Sequence, residues 1–300
     1  MSVSSSKGSK VFNGSRGSRR AVVLALFGLL AAIFACAALL RAQTHDDPAT
    51  VPAAAGSADP AFVARANQTL LHARGLIDKF FDQTSNVVCN EDVAQTLVGK
   101  NGKAMYREES VFEYQLLANN RSGSLKLVES REAHKAAFRD PTKTLLITNG
   151  FASMLLVLHQ SYEPSYIFTP VAEEIVDGRP LVKIHFNPVA GASSPAAIQL
   201  RNHNYPLPLT GDIWIDRENG AVVKLISSLE ANMDDLGLHN LRSEIHYGIV
   251  QFHDPEESYW MPASAVIDVE TPKQHWRNVH RFTSYRRFRA TIQVEFGEKP

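Results

Sequence analysis

The chain has 300 residues, 44% of them hydrophobic, with 31 Lys and Arg balanced by 31 Asp and Glu and only two cysteines. Removing the six basic residues of 1–41 leaves 25 basic against 31 acidic, a net charge of −6, which excludes global attraction to nucleic acid. Cys89 is the one thiol after that segment, so an internal disulfide is excluded there, and a small buried apolar role is expected for it.

In chain order, residues 1–20 carry Lys7, Lys10, Arg16, Arg19 and Arg20 and no acid, and residues 21–40 form an uninterrupted apolar run. At about 1.5 Å per helical residue the run matches a hydrocarbon core of about 30 Å. By the positive-inside bias the bulk of the chain is expected outside the cytoplasm, periplasmic or anchored in the inner membrane. Two fates stay open: a cleaved signal peptide, cut near Ala37 or after Ala42, and a retained membrane anchor. Lipidation at Cys36 is a third, disfavoured by the bulky Phe34 before it. Residues 42–58, rich in Ala and Pro, form a flexible tether. No second linker follows, so 59–300 is expected to be one domain.

That domain opens with a helix over 59–83. Asp59 is a good N-cap and Pro60 suits the first turn, while Phe62, Ala66, Leu70, Ala73, Ile77 and Phe80 recur at helical spacing. The period then changes to two. In 105–117 the even positions, including Tyr106, Phe112, Tyr114 and Leu116, alternate with polar odd ones, as in an antiparallel strand with one face wet. Asn101-Gly102 before it predicts a type I′ hairpin, and Asp177-Gly178 and Asn219-Gly220 repeat the turn signal. Further strands are expected at 92–99, 124–131, 166–176, 181–186, 209–216, 221–230, 242–252, 259–270, 275–289 and 291–296, with a short apolar helix near 149–160. The fold class is therefore mainly β with α (α+β): a large antiparallel sheet whose apolar face the long helix covers, either curled around it as a half-barrel or closed into a barrel.

The segment around Asp177-Gly178-Arg179 and Val182–Pro188, followed by Leu209-Thr-Gly211-Asp-Ile-Trp214-Ile-Asp216 and Gly220-Ala-Val-Val223, resembles exported bacterial proteins of the lipoprotein-carrier (LolA-like) and RseB-like superfamily. The resemblance covers about 60 residues by motif. It implies an incomplete barrel over helices, whose concave apolar face binds acyl chains or lipoproteins, and it supplies no catalytic residues. The expected ligand-binding residues are then Phe112, Tyr114, Leu116, Val182, Ile184, Phe186, Ile213 and Ile215, on the apolar faces of their strands. The 189–208 loop is a lid or an insertion.

Catalytic motifs are absent: no Gly-x-Ser-x-Gly elbow, phosphate loop or His-Glu-x-x-His occurs. No cofactor and no metal is expected, because His239/His246/His253 and His275/His280 have poor ligand spacing on a strand or a helix. Asp212, Trp214 and Asp216 alternate on one strand, placing two carboxylates roughly 7 Å apart. A secreted hydrolase using Asp212 and Asp216 is one alternative function, set against Asp216 opening a turn and Asp212 lying on a wet face. A membrane-stalked interaction domain is another. The Lys273–Arg289 stretch reads as a strand with Trp276, His280, Phe282 and Phe288 on one face and Arg277, Arg281, Arg287 and Arg289 on a basic outer face. Partners are expected to be lipid or lipoprotein, with the membrane if 21–40 is retained.

Overall fold

The computed structural model describes residues 59–83, 86–119, 125–133, 150–200, 203–253 and 256–287. The apolar run 21–40, the tether, Phe288, Arg289 and the 291–296 strand lie outside the described residues. Every described residue belongs to one compact unit, 55–300. Among the described residues no helix is long and apolar enough to cross a membrane.

Helix α1 (Pro60–Gln83) begins where its cap requires, with the Asp59 carboxylate accepting from the Ala61 amide at 3.0 Å. Its stripe of Ala66, Leu70, Ala73, Ile77 and Phe80 is buried, and Gln68 on the opposite side is exposed. Leu70→Asp is therefore expected to lower stability by about 3–4 kcal/mol, because an unpaired carboxylate would replace a buried isobutyl group, whereas Gln68→Asp changes little. Equal thermal midpoints for the two variants would remove α1 from the core.

Twelve strands follow, ten of them in one sheet: β1 (Asn86–Val98), β2 (Ala104–Asn119), β3 (Lys126–Ala133), β4 (Tyr166–Val176), β5 (Arg179–Pro188), β8 (Leu209–Asp216), β9 (Val222–Leu229), β10 (Asn240–His253), β11 (Glu256–Glu270) and β12 (His275–Arg287). Their order across the sheet is β3-β2-β1-β12-β11-β10-β9-β8-β5-β4, every pair antiparallel. The outermost strands, β3 and β4, do not pair with each other among the described residues, so the sheet is not closed into a barrel through them. One helix nonetheless touches β2 near one end and β8, β5 and β4 at the other. Phe80 also meets Tyr259 of β11, with ring centroids 5.3 Å apart.

The 189–208 segment, expected to be a lid or an insertion, contains a small hairpin of its own, β6 (Ala197–Leu200) paired with β7 (His203–Pro206). The apolar stretch near 149–160 forms a 3₁₀ helix, Ser153–Leu158, whose residues from Met154 on are all buried. β1 starts six residues earlier than the expected 92–99, which brings Cys89 and Glu91 into the sheet. Cys89 is fully buried, and burial pushes its thiol up to about 12, so it packs as a small apolar residue.

Three local expectations need correction. Asn101 is not among the residues with positive φ; only Gly102 is, at 75°, and the Gly99 and Lys103 backbones close a longer turn around them. A type I turn followed by a left-handed glycine gives this geometry, so the type I′ turn is absent here. It occurs instead at Asp177-Gly178, with φ of 51° and 75°. In β12, Ser284 has φ of 57° and the pairing with β1 slips between Val88 and Asn90. This bulge reverses the alternation, so Arg287 shares a face with Phe252 and Tyr259 rather than with Arg277 and Arg281. Nor is the outer face a basic field. Arg277 pairs with Asp268 at 3.3 Å, Arg286 with Glu113, and Asp92 stands opposite Arg281 in the register.

Candidate functional site

The open end of the sheet and the segments crossing its inner face enclose a cavity of about 470 Å³. Strand alternation sends Leu241, Ser243 and Ile245 of β10, Ile267 of β11 and Leu209 of β8 to its floor. Leu127, Val128 and Glu129 of β3 form one wall, and Gly150, Phe151, Ser153 and Met154 another. Pro195, Ala196, Ala197, Asn204 and Leu207 close the rest, so the β6–β7 hairpin and its flanks border the cavity. The volume lies within the roughly 300–1,000 Å³ of small-molecule sites, and the lining is mostly apolar with a few polar groups. On the other side of the 3₁₀ helix a smaller pocket of about 110 Å³ is lined by Ile77, Phe80, Leu155, Tyr259 and Trp260 among others. Met154 faces the large cavity and the adjacent Leu155 the small one.

Glu129 holds this wall together. Its carboxylate accepts the Tyr114 hydroxyl at 2.6 Å and the amides of Gly150, Phe151 and Ser153 at 2.8, 3.0 and 2.6 Å. Four donors converge on two oxygens, three on Oε2 and one on Oε1. The Tyr247 hydroxyl donates to the Phe151 carbonyl at 2.9 Å and fixes the same segment from β10.

Beside this wall lies a buried charge cluster that joins three strands. Glu91 of β1 receives a bidentate pair from Arg131 of β3, and His280 of β12 donates Nδ1–H to it at 2.8 Å. The side chains of Glu91 and His280 are fully buried and that of Arg131 nearly so. Burial pushes the Glu91 carboxyl up, but the hydrogen bonds from His280 and Arg131 and the charge of Arg131 outweigh it and hold Glu91 below its usual range. Burial lowers His280 more than Glu91 raises it, which keeps the imidazole neutral. The Phe151 ring covers the cluster, 4.7 Å from the His280 ring and under the Arg131 guanidinium.

The eight residues expected from sequence to contact a ligand are all buried, at 5% exposure or less, and all but Phe112 belong to the apolar cluster that also holds the buried faces of α1 and the 3₁₀ helix. Val182, Ile184 and Phe186 on β5 meet Ile213 and Ile215 on β8, with Val182 opposite Ile215 and Ile184 opposite Ile213. Phe112, Tyr114 and Leu116 lie across the sheet on β2. None of the eight is among the described residues lining the large cavity, although Tyr114 reaches it through Glu129. The residues that do line it come from β3, β8, β10, β11 and the 150–154 and 189–208 segments, where single-strand alternation carries no information about what covers a face.

Asp216 and Asp212 have other work than paired catalysis. Asp216 is buried and accepts the Glu218 amide at 2.9 Å, stabilising the turn that ends β8. Asp212 binds His185 Nδ1 at 2.7 Å and Lys183 at 3.2 Å on the outer face. His185 Nε2 lies 3.4 Å from the Thr210 hydroxyl, an arrangement resembling a nucleophile relay. That hydroxyl has one proton, however, and Asn187 Oδ1 at 2.6 Å and the Phe186 carbonyl at 3.0 Å are the nearer acceptors.

No protein-family model matches the chain, and no curated protein matches it. Solved structures with similar folds include a candidate outer membrane lipoprotein-sorting domain from Vibrio parahaemolyticus, 12% identical, covering 77% of this chain and 95% of that one with a TM-score of 0.37. A LolA superfamily protein from Nitrosomonas europaea is 10% identical, covering 75% and 94% with a TM-score of 0.38. A DUF1329 family protein from Desulfovibrio piger is 10% identical, covering 79% and 95% with a TM-score of 0.36.

Proposed function

We propose that this is an exported envelope protein, non-catalytic, which holds an apolar ligand, a lipid or a lipoprotein acyl chain, in the 470 Å³ cavity of a half-barrel. The observation that carries the proposal is the cavity's lining, in which apolar side chains of β3, β8, β10 and β11 surround a space left unfilled by the core. A cavity bounded by both β3, the first strand of the sheet, and β8, the eighth, requires the sheet to curl, which supports the half-barrel. The basic leader and the 21–40 run support export, with or without a retained anchor. Phe112, Tyr114, Leu116, Val182, Ile184, Phe186, Ile213 and Ile215 then serve as the packed layer that keeps the curled sheet rigid behind the ligand.

Leu241 is half-buried on the cavity floor, so Leu241→Glu places a charge among ligand contacts without opening the sealed core. Uptake of a fluorescent acyl probe is expected to fall by more than about tenfold in this variant while the thermal midpoint changes little. Uptake unchanged by Leu241→Glu, or no uptake by the native protein, would overturn the proposal.

A further inference from the structure

We infer that the cavity selects amphiphiles whose polar end is uncharged, such as a hydroxyl or ester, over anionic ones of equal chain length; this rests on the cavity being the ligand site. The wall presented to the ligand carries the Glu129 carboxylate, which accepts from one hydroxyl and three backbone amides, all neutral donors. Neutral donors leave the charge of a carboxylate uncompensated, so an anionic head is repelled. Arg131, a cation on the same strand face, is committed to Glu91 and covered by Phe151. Among the described residues the other polar side chains of the lining are Ser153, Asn204 and Ser243, which match a hydroxyl or ester.

Repulsion between like charges at an effective dielectric near 20 is enough to weaken binding about tenfold. Three amphiphiles sharing a C16 chain test the inference on the purified full chain: monopalmitoylglycerol, palmitate and hexadecyltrimethylammonium, each titrated below its micellar concentration. Monopalmitoylglycerol is expected to bind about tenfold tighter than palmitate. Asn204→Arg, which adds a cation at an exposed position of the rim, is expected to remove most of that difference by raising palmitate affinity. Glu129→Gln should act in the same direction if it folds, and Asn204→Arg answers the question if it does not.

Palmitate binding as tightly as monopalmitoylglycerol would overturn the inference while leaving the cavity as the ligand site. Palmitate affinity unchanged by Asn204→Arg would overturn it too. Failure of all three amphiphiles to bind would sink the ligand-binding proposal itself, and the inference with it.

Discussion

Glu91→Ala is expected to destabilise the domain by about 3–5 kcal/mol, because it leaves the Arg131 guanidinium buried without its carboxylate. The exposed pair of Arg107 with Glu109 is a contrasting case, worth about 0–1 kcal/mol because water already solvates both partners. Replacing both charges, as in Glu91→Leu with Arg131→Met, is expected to recover part of the loss, since neither charge is then stranded. Chemical denaturation of the single and double variants measures this. A double variant no more stable than Glu91→Ala would show that the pairing is not the source of the effect.

The same cluster sets a pH dependence. His280 titrates lower in the folded chain than its unfolded value of about 6.5, so the unfolded chain binds more protons as pH falls below that value, and stability is lost. Glu91 is also held below its unfolded value of about 4.3, so its contribution is present above that pH and is lost as the medium becomes more acid. The thermal midpoint is therefore expected to decline in two stages on acidification from pH 7.5, the first below about 6.5 and the second below about 4.3. His280→Gln should flatten the first stage; a midpoint constant between pH 7.5 and 5 would contradict the assignment.

Gly211→Ala is expected to be costly out of proportion to one methyl group. A Cβ at Gly211 would lie 1.9 Å from the Ile226 carbonyl oxygen and 2.9 Å from the Ser227 Cα, both backbone atoms of β9. No rotamer change relieves a clash with backbone, so β8 and β9 must separate in the middle of the sheet, at an expected cost of about 3 kcal/mol or more. Gly237→Ala is a useful comparison, for its Cβ would meet nothing within 4 Å and only its φ of 76° opposes the change. A thermal midpoint drop for Gly211→Ala no larger than that for Gly237→Ala would refute the close approach. Gly211 is also one of the residues that carried the family resemblance, and this contact supplies a physical reason for glycine there.

What the sequence determined by itself is local: the period of 3.6 in 59–83, the period of two in most strands, and the Asp-Gly and Asn-Gly turns. Each follows from interactions within a few residues, and α1, the strands β2 to β5 and the strands β8 to β12 fall close to their expected positions for that reason. The buried faces of β2, β5 and β8 were readable in the same way, because alternation states which side is dry. It does not state whether a dry side meets a ligand or another side chain. Seven of the eight residues expected at a ligand lie in the core cluster with α1 and the 3₁₀ helix, and the cavity opens elsewhere.

The rest required the tertiary structure. The β6–β7 hairpin was hidden in a segment with three prolines and weak alternation. Glu91 precedes the expected start of its strand, and its partners Arg131 and His280 are 40 and 189 residues away, so nothing local marked it as buried. The bulge at Ser284 reversed the face of Arg287, a change of one residue that a period-two pattern cannot register. Local preferences decide elements, because a few neighbouring side chains supply the free energy. Which charges are drawn together and where space is left over are decided by the pairing of strands and their packing on the helices, which brings together side chains far apart in sequence.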